Sequence, residues 1–576
     1  MRITLGALVT ALLLPLVTIS QSAPSNINFR DPVDIPMRLS GTFGELRSGH
    51  FHAGIDIKTY EQTGKAVRMI ADGHISRIKI RSGGYGKALY VTHNNGYTSV
   101  FAHLKTFNRT INKYIRKLQL KKKSYEIDVA VPEYRLYYKK GDIIAYTGNS
   151  GYSMGPHLHF EIRETRNQKP VNPLYFGFDI KDDIPPTLQG LKVYQNENTL
   201  AHSSENEYDL ELQNGKYRLK TENDTLQVKG KVSFGIRAFD KLNDTPNPDG
   251  VYKIRLLKND TAVFTWTADR FSFYETRYIN SFIDYGEYVA SGKRYARTTV
   301  DPYNRLSMYE ISKDQGQYNI PADSVVRFEY QVSDYFGNTS SIGFSIQGSA
   351  ALAEDSSEFI PAGDSTILKP TEKYDFTLDE LSVVFPRRSV YRNTILHVDK
   401  KMPDSIIPYP LYSIGNEKEP VHKYFTLKCD NHSVNDSLLN KAVWGRYDDE
   451  DGFKPISSQK QGSYLVGVTR KFGLYSIKID TVAPSVELMG FKEGDTISKN
   501  QQAELAFKIK DELSGISDYD VYINDNWVIA AYDAKNDVLT YHFDEFLELG
   551  KNTIKLRIED LKSNIHEKSF DLFIKK

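Results

Sequence analysis

The feature that most constrains the fold of this chain is a series of short apolar runs separated by tight-turn signals. AVRMIA and HISRIKI flank Asp72-Gly73, and ALYVTH and YTSVFAHL flank Asn94-Asn95-Gly96. Asp-Gly and Asn-Gly between β-type runs are the strongest local signals for a hairpin, because these residues tolerate the positive φ of tight turns. We therefore expect two hairpins and an antiparallel sheet here.

Residues 105–123 break this pattern. The segment KTFNRTINKYIRKLQLKKK carries eight Lys or Arg and no acid, and Phe107, Ile111, Ile115 and Leu118 recur at helical spacing. The segment is interpreted as an amphipathic basic helix inserted between two strands. Two roles are open for it: a solvated helix that covers the sheet, or a positive rim that concentrates an anionic polymer near a site.

Further β-rich units are predicted for the rest of the chain, because 576 residues exceed what a single core of about 50–200 residues supports. The 38 Tyr and 29 Phe are typical of β-rich extracellular modules. Pro-containing segments at 182–194 and 480–491 both open into a strand, and the turns SDYFGN (333–338) and EDLKSN (559–564) both precede a last strand. These recurrences predict two Ig-like β-sandwich modules.

The predicted fold class is mainly β, with the basic helical insertion in its N-terminal domain and several β-sandwich modules after it. The predicted organisation is a signal peptide at 1–20, a histidine-rich domain at 24–180, a β-sandwich module at 184–349, a linker at 350–369, a β-rich module at 370–482 and a C-terminal β-sandwich module at 483–576. Trp266, Trp444 and Trp527 fall one to each β unit and are expected in the cores.

The first residues predict export. After Arg2, a Leu-rich and almost uncharged run extends from Ile3 to Ile19, and Thr18 and Ser20 are placed for cleavage after Ser20. The run is shorter than the roughly 20 apolar residues of a membrane span, so it is interpreted as a cleaved signal, with an uncleaved anchor as the alternative. We expect a periplasmic or secreted cell-envelope protein with no membrane span after cleavage.

Cysteine content and charge exclude other classes. Cys429 is the only cysteine, so no intramolecular disulfide can form and an inert buried thiol is expected. The formal net charge is +1, and the chain as a whole therefore has no polycationic character that would indicate a nucleic-acid partner.

The chemistry is expected between residues 50 and 159, where seven of the 13 histidines lie. In MGPHLHFE, His157 and His159 are at positions i and i+2 of a predicted strand, so both face the same side. Such a pair alone is a weak signal for a metal. Glu161 shares this face and is expected to accept a hydrogen bond from an imidazole N–H.

A second motif strengthens the metal hypothesis. His52 and Asp56 lie four residues apart, with Gly54 between them to let the backbone bend. Imidazole and carboxylate are zinc ligands, and three protein ligands with one open position are the arrangement of catalytic zinc. His52, Asp56 and one histidine of the pair would supply them, and the other histidine would be free to move protons. His103, in VFAHL, can face the same cleft.

These motifs resemble the lysostaphin/LytM-type zinc metallopeptidases, a family of peptidoglycan endopeptidases. The resemblance covers about residues 36–178 and rests on the family's order of motifs, which are His52-x-x-x-Asp56, GYG at 84–86, FAHL at 101–104, Gly141-Asp142, TGNSGYSMGPHLHFEIR at 147–163 and Asn172-Pro173. It implies that His52, Asp56 and His159 bind Zn²⁺, that His157 is the general base and that His103 stabilises the transition state. The long insertion between His103 and Gly141 departs from the family.

The function implied by the resemblance is that of a secreted zinc metalloendopeptidase, a hydrolase that cleaves peptide cross-links or stem peptides of bacterial peptidoglycan. The β modules would position it or contact cell-envelope protein partners. Two alternatives stay open: a non-catalytic adaptor that binds the cell wall and regulates another wall hydrolase, or a protein whose main function is glycan or protein binding by the β modules.

Overall fold

The computed structural model describes residues 27–195, 204–221, 225–349, 365–401, 409–430, 436–448, 452–500 and 502–576. The predicted signal peptide at 1–20 and most of the predicted linker at 350–369 lie outside the described residues. Strands dominate the described ranges, as expected for a mainly β chain. Within the same ranges, no helix combines the length and the apolar character that a membrane crossing needs.

The N-terminal region is built around an antiparallel sheet. Its elements are β1 Leu39–Gly41, β2 Leu46–Arg47, β3 His50–Phe51, β4 Ile55–Lys58, β5 Ala66–Arg68, β6 Gly73–Ile80, β7 Lys87–His93, β8 Tyr97–Ala102, β9 Thr106–Phe107, α1 Arg109–Lys122, β10 Ile127–Ala130, β11 Tyr137–Tyr138, β12 Ile143–Tyr146, β13 His157–Glu164 and β14 Pro170–Val171. The main sheet has the order β1-β4-β13-β8-β7-β6-β10, with β11 against β6 and β14 against β13. A second sheet has the order β5-β12-β9.

One of the two predicted hairpins is confirmed and the other is wrong. β7 and β8 pair across Asn94-Asn95-Gly96. No hairpin forms across Asp72-Gly73, because β5 pairs with β12 and β6 pairs with β7. The Asp72 carboxylate accepts hydrogen bonds from the Lys140 backbone N–H (2.8 Å) and from Lys139 Nζ (3.0 Å). These contacts fix the dipeptide where the chain crosses from one sheet to the other.

The basic helix is confirmed over a shorter range than 105–123. Thr106 and Phe107 pair with β12 as strand β9, and the Asn108 side chain accepts from the Ile111 N–H, so α1 begins at Arg109. Ile111, Ile115 and Gln119 are buried. The helix therefore covers the N-terminal core with its apolar face, which agrees with the first of its two open roles.

The first β unit follows this region. Its elements are β15 Thr187–Gln195, β16 Ser204–Gln213, β17 Lys216–Leu219, β18 Thr225–Lys229, β19 Lys231–Phe239, β20 Lys253–Lys258, β21 Thr261–Thr267, α2 Ile279–Phe282, α3 Tyr285–Ser291, β22 Ala296–Arg297, β23 Tyr309–Ser312, β24 Tyr318–Asn319, β25 Val325–Ser333 and β26 Thr339–Ser349. The first half of β16 pairs with β15 and its second half with β17. This long strand thereby connects the two halves of the unit.

The two later β units each place two sheets around one core. The strands are β27 Thr366–Leu368, β28 Tyr374–Leu378, β29 Leu381–Phe385, β30 Thr394–Leu396, β31 Val398–Lys401, β32 Leu411–Ile414, β33 Phe425–Asp430, β34 Ala442–Asp448, β35 Gly452–Pro455, β36 Ser458–Gln461, β37 Tyr464–Thr469 and β38 Gly473–Ile479, then β39 Ser485–Leu488, β40 Thr496–Ser498, β41 Glu504–Lys510, β42 Ile516–Ile523, β43 Asn526–Trp527, β44 Ala530–Asp533, β45 Val538–His542, β46 Gly550–Asp560 and β47 Ile565–Lys575. The first pair of sheets is β28-β29-β33-β37-β36 and β31-β32-β38-β34-β35, and the second pair is β39-β41-β45-β44 and β40-β47-β46-β42-β43.

Sequence predictions about the β units have mixed outcomes. The two similar turns do connect neighbouring strands, β25 to β26 and β46 to β47. Trp266, Trp444 and Cys429 are buried, as predicted. The prediction that Trp527 lies in a core is wrong. Its side chain is only half-buried on the short strand β43, and its indole N–H donates to Asp520. The domain boundaries stay predictions.

The N-terminal region and the first β unit share hydrophobic contacts. Phe51 belongs to the same buried cluster as the core of the first β unit. Its ring centroid lies 6.3 Å from that of Trp266, 5.8 Å from Phe271 and 6.1 Å from Phe282. Its backbone N–H donates to Thr276 Oγ1 at 2.9 Å. The strand before the His52 motif is therefore held by the β unit.

The C-terminal β unit also contacts the N-terminal region. Arg116 on α1 pairs with Asp544 (3.1 Å) and Glu545 (2.7 Å). Lys535 Nζ donates to the backbone carbonyls of Asn149 (2.7 Å) and Ser153 (3.0 Å). One cation of the basic helix is thus paired within the protein rather than directed at a polymer.

Phe51→Ala is expected to lower the free energy of unfolding by about 3–5 kcal/mol, because the lost ring leaves a cavity between two packed units. The shift of the urea midpoint of the chain measures this. The control variant is Tyr274→Ala in the first β unit, which removes a side chain that is 94% exposed. It should change the free energy of unfolding by less than about 0.5 kcal/mol. Equal midpoints for the two variants would contradict the packing argument.

Candidate metal centre

The pairing of three strands brings the predicted site residues together. In the antiparallel pair β4 and β13, Asp56 lies directly opposite His159. On the other side of β13, His159 is opposite Ala102 of β8, and His103 follows directly after that strand. Neighbouring residues of adjacent strands have Cβ atoms about 4.5–5.5 Å apart. One row across the sheet thus collects side chains from distant parts of the chain.

His52 reaches this row from the bend between β3 and β4. A Cβ atom on Gly54 would lie 2.3 Å from the Phe160 carbonyl oxygen, so only glycine allows this segment to approach β13. The backbone does bend at Gly54, as predicted, but without a positive φ. The close approach to β13 is what requires a glycine here.

Three ligand atoms converge in this buried group. The Nε2 atom of His52 lies 3.2 Å from Asp56 Oδ1 and 3.1 Å from His159 Nδ1, and the last two atoms are 2.8 Å apart. A tetrahedral zinc ion with bonds of about 2.0–2.1 Å has ligand atoms roughly 3.3 Å apart. The donor set His52, Asp56 and His159 therefore fits one small divalent metal ion.

Hydrogen bonds fix which imidazole nitrogen is free to bind the metal. His52 Nδ1 lies 2.8 Å from the Thr42 carbonyl oxygen, and His159 Nε2 lies 3.0 Å from Glu161 Oε1. Because a carbonyl and a carboxylate accept, these two nitrogens carry the protons. The opposite nitrogens, which face Asp56, are the ones that can bind a metal. Burial lowers the pKa of His159, but hydrogen bonds with Asp56 and Glu161 outweigh it and raise this pKa to about 9. Without a metal, His159 Nδ1 therefore carries a proton that a bound metal ion would displace.

Glu161 is confirmed as the acceptor for an imidazole of the pair. It is fully buried and accepts from His159, from Arg163 Nε (2.6 Å) and from the Tyr85 hydroxyl. Burial raises the pKa of Glu161, but the charge of Arg163 and the hydrogen bond from His159 outweigh it and lower this pKa to about 2. The carboxylate thus stays ionised and orients His159.

Sequence reasoning missed Arg47. Its Nη2 donates to Asp56 Oδ2 at 2.6 Å and to Glu45 Oε2 at 3.0 Å. Burial raises the pKa of Asp56, but the charge of His52 and hydrogen bonds from His159 and His52 hold it well below its ordinary value. Asp56 therefore presents Oδ1 to the group while Arg47 holds the other oxygen. No local pattern marks this arginine, because its partner is chosen by the fold.

His157 and His103 lie beside the ligand group. His157 Nε2 is 3.5 Å from Asp56 Oδ1, and its Nδ1 is 2.9 Å from the Gly155 carbonyl oxygen. The His103 ring centroid is 4.8 Å from that of His157, and its Nδ1 is 2.8 Å from the Ser150 carbonyl oxygen. Burial lowers the pKa of both rings, and for His103 burial and the neighbouring histidines lower it to about 3. Both imidazoles are neutral near pH 7, with unprotonated Nε2 atoms.

The group opens onto a groove of about 760 Å³. Tyr152 and Met154 are exposed on its wall, and Asp244 and Asn247 of the first β unit also line it. Lys58 Nζ donates to Asn247 Oδ1 at 2.6 Å across this junction. The first β unit therefore forms part of the groove.

Comparisons with known proteins identify the N-terminal region. Residues 50–120 and 135–173 match peptidase family M23, and residues 365–480 match the Zu5-like domain. The DD-carboxypeptidase/endopeptidase Mpg of Neisseria meningitidis is 33% identical over 142 residues, which are 24% of this chain and 26% of that protein. The chain thus carries a LytM-type domain of peptidase family M23. It spans about a quarter of the length of this relative.

One further protein and one solved structure are similar to the N-terminal region. An uncharacterized metalloprotease of Haemophilus influenzae is 31% identical over 153 residues, covering 27% of this chain and 24% of that protein. Among solved structures, the catalytic domain of lysostaphin from Staphylococcus simulans is 23% identical and has a TM-score of 0.19, with 24% of this chain and 91% of that chain covered.

Glu161→Gln is expected to weaken the affinity of the group for a divalent metal ion by about 10–100-fold, because a neutral amide polarises His159 less than a carboxylate does. Competition with a chromophoric chelator measures the affinity, and thermal unfolding of the metal-free variant checks its fold. Glu164→Gln is the matched control on the same strand, where Glu164 pairs with Arg270 instead. Equal affinities of the two variants would contradict the proposed orientation of His159.

Proposed function

We propose that the chain is an exported zinc-dependent endopeptidase that hydrolyses peptide cross-links or stem peptides of bacterial peptidoglycan. The observation that carries this proposal is the convergence of ligand atoms from His52, Asp56 and His159 to within 3.2 Å at a groove, with His157 Nε2 only 3.5 Å from Asp56 Oδ1. The family M23 match and the endopeptidase name of the Neisseria relative support the same reaction class.

His52, Asp56 and His159 are the proposed zinc ligands. Bound there, Zn²⁺ would lower the pKa of a water molecule toward about 7 and polarise the scissile carbonyl. The contribution of the chain is to orient the three ligands so that the atoms that would bind the metal face one another. Thr42, Glu161 and Arg47 do so by engaging the far side of each ligand.

His157 is the proposed general base. Its Nδ1 proton is engaged by the Gly155 carbonyl, so the lone pair on Nε2 points toward the ligand group and can accept a proton from the attacking water. The imidazolium can then donate this proton to the leaving amine. A lowered pKa keeps His157 neutral and ready to accept at neutral pH.

His103 is the proposed stabiliser of the transition state. Because its Nδ1 proton is engaged by Ser150, its neutral form can accept but not donate a hydrogen bond at Nε2. It can therefore stabilise an oxyanion only as an imidazolium, and the developing negative charge favours that protonated form. The role thus depends on proton uptake during the reaction.

The single substitutions His52→Ala and His157→Ala distinguish the proposed role of a zinc ligand from that of the general base. His52→Ala should abolish stoichiometric zinc binding, because two protein ligands remain. His157→Ala should keep zinc and lose about 10²–10⁴-fold in kcat. Atomic absorption and turnover of a peptidoglycan fragment measure the two effects, with His74→Ala on β6 as the matched control. Equal zinc loss in both variants would reverse the assignment of roles.

Zymography on purified cell wall distinguishes the proposed endopeptidase from the alternative of a non-catalytic adaptor. We expect a clearing zone that disappears with a chelator and returns when Zn²⁺ is added, because the reaction needs the metal-bound form. Mass spectrometry of the released muropeptides then identifies the cleaved bond. Clearing that survives chelation would exclude the zinc mechanism, and binding to the wall without any clearing would favour the non-catalytic adaptor.

A further inference from the structure

Three aspartates meet at the start of the first β unit. Asp182 precedes β15, Asp240 follows β19 and Asp334 follows β25, and one oxygen of each lies within 4.8 Å of the others. Asp240 and Asp334 are buried, with 4% and 3% exposure. Carboxylates this close repel each other in a site that excludes water, so a compensating partner is required.

Two carboxylate oxygens of this cluster lack a hydrogen-bond donor. Asp182 Oδ2 and Asp240 Oδ1 are buried without a hydrogen bond. Among the described residues, none of the three carboxylates forms an ion pair with a Lys, Arg or His side chain. A buried polar atom without a partner costs about 1–3 kcal/mol, and more when it is charged. Asp240 therefore contributes a buried side chain with an unpartnered oxygen to the cluster.

The C-terminal β unit contains a similar cluster of three aspartates, but different groups surround its carboxylates. Asp334 and Asp560 each accept hydrogen bonds from the backbone N–H and the side chain of the Asn four residues later, Asn338 and Asn564. Both Asn side chains also donate to the backbone carbonyl of the residue that opens the unit, Asp182 or Asp480. The two turns are thus built alike.

The charges around the second cluster, which comprises Asp480, Asp511 and Asp560, are partly offset from within the chain. Lys562 interacts with the charges of Asp480 and Asp560. The Asp511 carboxylate accepts two backbone N–H groups. In the first cluster, Phe336 occupies the turn position of Lys562 and brings no charge.

We propose that Asp182, Asp240 and Asp334 bind a divalent cation of the Ca²⁺ type. The site offers only oxygen ligands, which suit hard cations, and Ca²⁺ accepts several carboxylates at 2.3–2.6 Å in flexible geometry. Oxygens up to 4.8 Å apart can share one such ion. The proposal is independent of the peptidase function.

The raised pKa values of two of the three aspartates agree with cation binding at this cluster. Burial and the charges of Asp182 and Asp334 raise the pKa of Asp240 to about 8. Burial, with the charge of Asp334, raises the pKa of Asp182 to about 6. Without a cation, the cluster is therefore partly protonated at neutral pH, and a bound cation would replace that positive charge.

The position of the site indicates what the cation would stabilise. Asp182 lies on the segment that joins the M23 domain to the first β unit. Asp240 pairs with Asp249 at the base of a loop, and Asp244 and Asn247 of this loop line the groove. Binding at its base would fix both the junction and the groove wall.

The test is a titration of the full-length, zinc-loaded protein with CaCl₂. Calorimetry should detect saturable Ca²⁺ binding, and saturating Ca²⁺ should raise the Tm by about 2–4 °C. Asp240→Asn, which keeps the shape but removes one charge, should weaken Ca²⁺ binding at least about tenfold and abolish the Tm rise. Without Ca²⁺, its Tm should stay close to that of the wild type, because Asp240 is then mostly protonated and the amide replaces a neutral carboxyl of the same shape, and this shows that the variant folds.

Asp511→Asn is the matched control in the second cluster, and it should keep the Ca²⁺-dependent rise. Absence of binding and of a Tm rise in the wild type would overturn the proposal. So would an Asp240→Asn variant that binds Ca²⁺ as the wild type does, or loss of binding in Asp511→Asn alone. Since zinc content is measured separately, failure of this site is distinguishable from failure of the peptidase proposal.

Discussion

The pairing of β4 with β13 is the constraint on which the candidate site depends. It sets Asp56 directly opposite His159, and the same strand pairs on its other side with β8, after which His103 follows. A shift of one residue in this register would turn His159 to the opposite face of the sheet and Phe160 into the groove. The apolar residues Leu158 and Phe160, which are fully buried, therefore fix the register that the metal group needs.

Packing between units extends this constraint beyond the M23 domain. Phe51 lies within the core of the first β unit, and the next residue is His52. Because the backbone of this ligand is anchored to another unit, the position of His52 depends on how the first β unit docks. Gly54 is also needed for the position of His52, since any side chain at residue 54 would collide with β13. All three ligands thus belong to the M23 domain, but the position of His52 also depends on the first β unit.

The sequence predicts the parts of this structure that local patterns determine. Strand alternation predicts that His157, His159 and Glu161 share a face, and helical spacing with a capping Asn accounts for α1. Long-range choices escape such patterns. Arg47 is selected by the position of the Asp56 carboxylate, and the Asp72-Gly73 dipeptide is recruited by Lys139 and Lys140 instead of by a hairpin. The five site residues are brought together by the fold, while their roles remain to be measured.

The β units shape the groove as well as extending the chain. The first unit supplies Asp244 and Asn247 to its wall, and Lys535 of the C-terminal unit binds the backbone of Asn149 and Ser153. Both contacts are polar and partly exposed, so each contributes little stability by itself. The groove is therefore lined by two units, while the C-terminal unit holds the segment 149–153 next to it. The shape of the groove therefore depends on the β units as well as on the M23 domain.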